Sequence, residues 1–104
     1  MSDVTVTRNE DERRYEAHVE GKLAGFTEIR DRDGYVLMPH TEVFDAFGGK
    51  GVGSELARCA LDDLQDRGEL VEAKCPFIHG WIARHSAYHP MLREGHPEPD
   101  VEQD

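Results

Sequence analysis

Cysteine, long apolar runs and positive charge are all scarce in this sequence of 104 residues. Cys59 and Cys75 are too few for a disulfide-built scaffold, and the opening Met1 to Arg8 has no apolar segment resembling a secretory leader, so both are read as reduced thiols. Crossing a bilayer takes roughly 20 predominantly apolar residues in a row. No stretch comes near that, which excludes a membrane-spanning segment and sets the expectation of a cytoplasmic protein. Lys and Arg number 12 against 22 Asp and Glu, a formal net charge of −10. Nucleic acids are bound by neutralising phosphates with Lys and Arg, so this balance excludes a nucleic-acid partner and disfavours an acidic one. The length fits one domain burying roughly 65 % of its unfolded surface, and excludes a second catalytic domain.

What is present changes character near residue 48. Before it, Val4 to Thr7 is β-branched, and Tyr15, Ala17 and Val19 alternate with Glu16, His18 and Glu20, the period of strands with one buried face. Asn9 to Arg14 is a polar connection with no room for a helix. Gly21-Lys22 predicts a turn, and Leu23 to Arg30 a strand with Leu23, Gly25, Thr27 and Ile29 on one face. Asp33-Gly34 before Tyr35 to Met38 is a hairpin signal, because the turn needs positive φ. His40 to Phe44 predicts a further short strand, so the first half reads as an antiparallel meander.

After the glycine cluster the period becomes helical. Val52, Leu56, Cys59, Ala60 and Leu64 form an apolar stripe, which places Cys59 in the core, and Gly68 ends the helix. Leu70 to Lys74 predicts a strand. Pro76 opens a second helix carrying Phe77, Ile78, Trp81 and Ile82 as its stripe to about Arg84. The domain is therefore drawn at residues 1–93, with 94–104 an acidic, Pro-containing disordered tail. The fold class is α+β, with a strand–loop–helix–strand unit in its second half.

The run Gly49-Lys50-Gly51-Val52-Gly53-Ser54 between a strand and a helix suits a phosphate or pyrophosphate site. Glycines let the backbone approach an anion, the helix N-terminus offers unpaired N–H donors, and Lys50 adds an ammonium. A nucleotide-hydrolysing loop would need Ser or Thr after Gly49-Lys50, and Gly51 stands there instead. A dinucleotide fold would carry such a loop after its first strand. The bland reading is a glycine-capped helix.

With its antiparallel meander before it and its amphipathic helix after it, Gly48-x-x-Gly51-x-Gly53 resembles the acyl-CoA pyrophosphate loop of the GNAT superfamily of N-acetyltransferases. His40-Thr41-Glu42-Val43, the glycine loop, and Cys75-Pro76-Phe77 before a helix ending near Arg84-His85 resemble its small single-domain branch, the Yjdj-type acetyltransferases, over Val4 to Tyr88. The resemblance implies a GNAT-like mixed sheet with an N-terminal antiparallel meander, the glycine loop and two C-terminal helices. It also implies an acetyl-CoA site. The amides of Gly49, Lys50, Gly51, Val52, Gly53 and Ser54 would hold the pyrophosphate, and the strand Thr41, Glu42, Val43 and Phe44 the pantetheine arm. Gly48 stands where the superfamily has Gln or Arg, and the two helices that usually follow the first strand are absent, as in the small branch.

Acetyl transfer to an amine needs a proton acceptor, oxyanion donors and an acid for the thiolate. His40 is the candidate base, since imidazole titrates near neutral pH; its alternative role is to anchor the strand. Cys75, before Pro76 at a helix start, is a candidate acyl-accepting nucleophile or a buried apolar residue, and the resemblance places the family's cysteine here. The superfamily often uses a last-helix tyrosine as acid. That helix carries Trp81, read as packing, and the next tyrosine is Tyr88. Cys75, His79, His85 and His89 match no familiar zinc spacing, so no metal site is assigned.

The leading expectation is an acetyl-CoA-dependent N-acetyltransferase acting on a primary amine by direct attack, with His40 or water as proton acceptor. A cationic small-molecule or peptide acceptor suits the net negative charge, and a monomer or weak homodimer the small open sheet. The alternative is a CoA-binding or interaction module with little catalysis.

Overall fold

A computed structural model describes residues 3–49 and 51–93, arranged as seven strands and two α-helices. Lys50 and the tail expected over 94–104 lie outside the described residues. Strands β1 (Val4–Asn9) and β2 (Arg14–Val19) form a hairpin in full register from Val4 opposite Val19 to Asn9 opposite Arg14. β3 (Lys22–Glu28) pairs antiparallel with β2. The predicted strand Leu23 to Arg30 is in fact two, because beyond Arg14 there is no β2 left to pair with. Ile29 N–H instead donates to the Arg13 carbonyl at 2.9 Å, and β4 (Arg30–Arg32) turns to β5 (Tyr35–Met38) across Asp33-Gly34, as the hairpin signal predicts. The expected face of β3 also shifts. A register irregularity opposite Ala17 and His18 inserts Ala24, which is buried, and leaves Leu23 half-buried.

β6 (Thr41–Val43) pairs with β3, so one four-stranded sheet has the order β1-β2-β3-β6. After a short 3-10 turn at Asp45–Phe47, helix α1 (Val52–Asp66) crosses over to β7 (Val71–Ala73), which lies parallel to β5. The second sheet is β4-β5-β7. The two adjoin through the continuous segments at Ile29 and Pro39-His40 and through the Glu28 N–H bond to the His40 carbonyl, 2.8 Å. Helix α2 (Pro76–Ala83) and a 3-10 segment, Ser86–Met91, complete the fold.

The core lies between the sheets and α1, whose Val52, Leu56, Ala60, Leu61 and Leu64 are fully or almost fully buried. Each such leucine contributes about 1.5–3 kcal/mol relative to an exposed one. Two stripe assignments need correction. Cys59 is half-buried, at the margin of the stripe, with Sγ 3.7 Å from Glu55 Oε2, and burial pushes its thiol pKa up. Phe77 is exposed, while Ile78, Trp81 and Ile82 carry the buried side of α2. Inside the core margin Tyr15 donates to Asp63 at 2.5 Å and Arg8 Nη1 to Tyr15 Oη at 3.0 Å, tying β1 and β2 to α1.

Candidate active site

Parallel strands β5 and β7 run side by side and then part. The last link is the Cys75 N–H bond to the Met38 carbonyl, 3.0 Å. Pro39 has no N–H to offer a ladder, and beyond it the chain continues as β6, paired with β3, while the other arm turns into α2 at Pro76. The result is a fork. Its first arm has an open edge: His40 O and Phe44 N–H bond toward β3, so the alternation of a strand turns the Thr41 and Val43 peptide groups away from β3. Thr41 is held by its hydroxyl, 2.8 Å from Thr27 Oγ1, and Phe44 by an edge-on contact with Phe26.

The N-terminus of α1 closes the wide end. Gly51 is its N-cap at φ 75, a left-handed conformation that L side chains adopt at a cost, and no side chain caps the helix. Among the described residues the first intrahelical bond is Glu55 N–H to Gly51 O, 3.1 Å, and none of these residues accepts from the N–H groups of Val52, Gly53 or Ser54. Gly49 is also left-handed, at φ 78. A Cβ at Gly53 would fall 2.9 Å from Phe77 Cζ and 3.5 Å from Val43 Cγ2, so α1, β6 and α2 converge at this glycine. Ser54 Oγ accepts from Trp81 Nε1 at 3.1 Å, locking the two helices together. The arrangement offers a strand edge for an extended amide-bearing chain and, next to it, backbone donors for an anion.

The two chemical candidates differ in exposure. His40 is exposed on the bend, its ring centroid 6.0 Å from that of Phe26 and Nε2 3.4 Å from Glu42 Oε1. Cys75 is the N-cap of α2 and is buried in the core, and no hydrogen bond joins it to the exposed His40 among the described residues. Tyr88 donates to Asp62 at 2.7 Å, which raises its pKa, and lies edge-on to Trp81. Trp81 itself is buried and stacks on His85 at 3.8 Å, in keeping with a packing role. Among the described residues no group of three or more His, Cys, Asp or Glu comes together to hold a metal. His85 Nδ1 and His89 Nε2 are instead turned to the carbonyls of Trp81 and Ile82.

Two contributors are absent from the sequence reading of the site. By spacing alone Phe77 belongs to the apolar stripe of α2, and only the packing of α2 against Gly53 puts its exposed ring beside the start of α1. Gly25 is the second: a Cβ there would sit 2.5 Å from the Glu42 carbonyl oxygen, so β3 and β6 are seated together by a missing side chain. A glycine within a strand pattern is the available signal for such an approach.

No curated protein sequence matches the chain. Among solved structures, a GCN5-like protein of Staphylococcus aureus has the same fold with a TM-score of 0.66 at 22 % identity, covering 92 % of this chain and 97 % of that one. A ribosomal-protein-alanine N-acetyltransferase of Brucella melitensis biovar Abortus 2308 superposes with a TM-score of 0.54 at 23 % identity, over 61 % of this chain and 49 % of its own. The family model of GCN5-related N-acetyl-transferases matches residues 14–91, which span β2 through the 3-10 segment and include both arms of the fork. The chain belongs to the GCN5-related N-acetyltransferase family.

Proposed function

We propose that this acetyltransferase-family chain uses acetyl-CoA and moves the acetyl group to a primary amine by direct attack. The observation that carries the reading is the meeting, at Gly53, of an open strand edge with a helix start that no side chain caps and whose first amides find no acceptor among the described residues. The amides of Gly49, Lys50, Gly51, Val52, Gly53 and Ser54 would hold the pyrophosphate, and the edge Thr41 to Phe44 the amide-bearing arm. Ser54 Oγ accepts from Trp81 Nε1, which fixes the hydroxyl in place and leaves both its O–H and its backbone N–H able to donate. Acetyl-CoA, when bound, supplies an acyl group activated as a thioester. In the transfer an N–C bond forms and a C–S bond breaks, the amine gives up a proton and the departing thiolate takes one. His40 or water accepts the amine proton, with Glu42 beside the ring to stabilise an imidazolium. Cys75, buried and without a base beside it, keeps a structural place at the N-cap. The acceptor is a cationic amine, since the chain's net charge of −10 favours one, and the protein is a monomer or weak homodimer acting in the cytoplasm.

Calorimetry with acetyl-CoA tests the loop. Gly51→Glu should weaken binding by at least about tenfold, since it sets a carboxylate against an anion at the positive end of α1. Gly51→Ala separates this from the backbone cost of about 1 kcal/mol at positive φ. Unchanged affinity in Gly51→Glu would undo the loop assignment, and failure of both CoA and acetyl-CoA to bind would undo the reading altogether. In an acetylation assay over a panel of amines, Cys75→Ala should keep the rate within about threefold of the parent. Abolished transfer by a folded Cys75→Ala protein would replace direct attack with a covalent route. A protein that binds acetyl-CoA but acetylates no amine is the binding module instead.

A further inference from the structure

At the end of the four-stranded sheet away from the start of α1, where the Glu28 N–H bonds the His40 carbonyl, the β1–β2 turn and the β3–β4 junction border an open cavity of about 440 Å³ lined by four arginines, Arg8, Arg13, Arg30 and Arg32, with Glu10, Asp31 and the edge of Ile29. In a chain whose formal charge is −10 this is a local inversion of sign. Two of the guanidiniums are already matched: Arg8 to Glu10 at 2.8 Å and Arg30 to Glu28, outside the lining, at 3.0 Å. Arg13 and Arg32 make no ion pair to a carboxylate among the described residues, and the Arg32 contact is to its neighbour's carbonyl, Asp31 O, at 3.1 Å. Against these two stands the single carboxylate of Asp31, so the lining keeps an excess of positive charge.

The backbone supports a purpose for Arg13. It sits at φ 57, a left-handed conformation in a hairpin turn that glycine would occupy without strain. Its carbonyl is bound by Ile29 N–H and its own N–H by Glu10 O at 3.2 Å, so the surrounding structure holds the strained residue in place. The backbone of Arg13 is thereby fixed beside the cavity, with an exposed arginine where glycine would sit without strain, as Glu20 does at φ 52 in the next turn.

We propose that this cavity is an oxyanion site, binding a carboxylate or phosphate group through Arg13 and Arg32, with Arg8 and Arg30 adding to the field. Guanidinium forks match both groups in geometry and form charge-assisted hydrogen bonds with them. Its place in the fold suggests whose anion it is. Arg30 pairs with Leu37 on β5, and β5 is the strand whose Met38 carbonyl bonds Cys75 at the fork. The β4 wall of the cavity is thus one strand spacing, roughly 5 Å, from the strand that ends at the fork. An amine whose other end is anionic would span cavity and fork, with its ammonium favoured by the acidic body and its carboxylate or phosphate by the cavity. This second step rests on the proposed acetyl transfer; the first does not.

Titrating isotope-labelled protein with inorganic phosphate, at constant ionic strength and without acetyl-CoA, tests the site itself. Saturable amide shifts at Arg13, Ile29, Asp31 and Arg32 are expected, and in the doubly substituted Arg13→Gln, Arg32→Gln protein the affinity should fall about tenfold or more. Shifts that do not saturate, that persist unchanged in a folded double variant, or that fall only on Val52 to Ser54 overturn the site. Arg13→Gly, which relieves the strained turn, guards against instability: it should bind phosphate more weakly while melting no lower than the parent. Ethanolamine and its phosphate ester, compared as acceptors, then identify the source. A kcat/KM ratio favouring the ester, and falling about tenfold in the double variant, assigns the anion to the acceptor. Saturable phosphate binding with no preference for the ester overturns that assignment and makes the ligand a free anion. If neither of these two is acetylated while another amine of the panel is, the acceptor assignment fails; if none is, the transfer reading fails, and in both cases the titration still decides the cavity.

Discussion

β5 and β6 are separated only by Pro39 and His40, yet they live in different environments. β5 has hydrogen-bonded neighbours on both sides, antiparallel β4 and parallel β7, and Val36 and Met38 are buried. β6 has β3 on one side and an open edge on the other, with Thr41 and Val43 half-buried. The same stretch of chain thus serves as a core strand and then as a binding edge. What separates the roles is the partner: once Cys75 has bonded Met38, Pro76 starts a helix, and the parallel strand that would have covered β6 is gone. A sheet that closed this edge would be more stable and would have nowhere to bind an extended ligand.

The contrast can be broken by truncating each half. Met38→Ala should cost about 2–5 kcal/mol in urea unfolding, as for a large buried side chain, whereas Val43→Ala should cost less than about 1.5 kcal/mol and show its main effect in acetyl-CoA affinity. Equal losses would mean that the two halves do not differ as described. Gly25→Ala probes the seating of β6 alone. With a Cβ 2.5 Å from Glu42 O and 3.1 Å from Val43 Cα, it should cost about 1–3 kcal/mol and speed amide exchange in β6 while β5 keeps its protection. Uniform deprotection of both strands would show that the fork does not loosen independently.

The smallest effect is expected far from the edge. Tyr15→Phe removes the hydroxyl bonded to Asp63 and should cost about 1–2 kcal/mol near neutral pH. Its sharper signature is in pH dependence. Burial, with the bond to Asp63, pushes the Tyr15 pKa up to about 12 from an ordinary value of 10.0, so this contribution is intact below pH 10 and disappears as the pH rises toward 12. On the acid side the Tyr15 hydroxyl, first among several donors, holds the Asp63 carboxyl below its ordinary value. That contribution is present above the carboxylate range and is lost as the pH falls through the lowered value. Tyr15→Phe should flatten both limbs of a stability–pH curve, and an unchanged alkaline limb would show that the tyrosine does not control it.

Much of the fold is legible because each signal is local. Alternation marked β2, Asp33-Gly34 marked the β4–β5 hairpin, and the change to a 3.6-residue period at Val52 marked α1. The misses share one cause: pairing partners are not written in the strand that needs them. Leu23 to Arg30 looked continuous because nothing in those residues records that β2 stops at Arg14. Ala24 was turned to the wrong face by an irregularity that belongs to two strands at once. Phe77 follows the helical period of its neighbours, and its exposure depends on where α2 meets Gly53. The glycine loop was legible as a glycine-rich start to a helix, and the arginine cavity was not, because its residues come from β1, a turn and β4.

By itself, then, the sequence determined the kinds of element, their order, the position of the loop before α1 and the acidic balance, since all of these follow from residues close together in the chain. The tertiary structure decided which edge stays open, that His40 is exposed while Cys75 is buried, and that four arginines of an acidic chain line one cavity. Those outcomes depend on long-range backbone bonds such as Cys75 to Met38 and Ile29 to Arg13, which the chain forms only once its distant segments have packed.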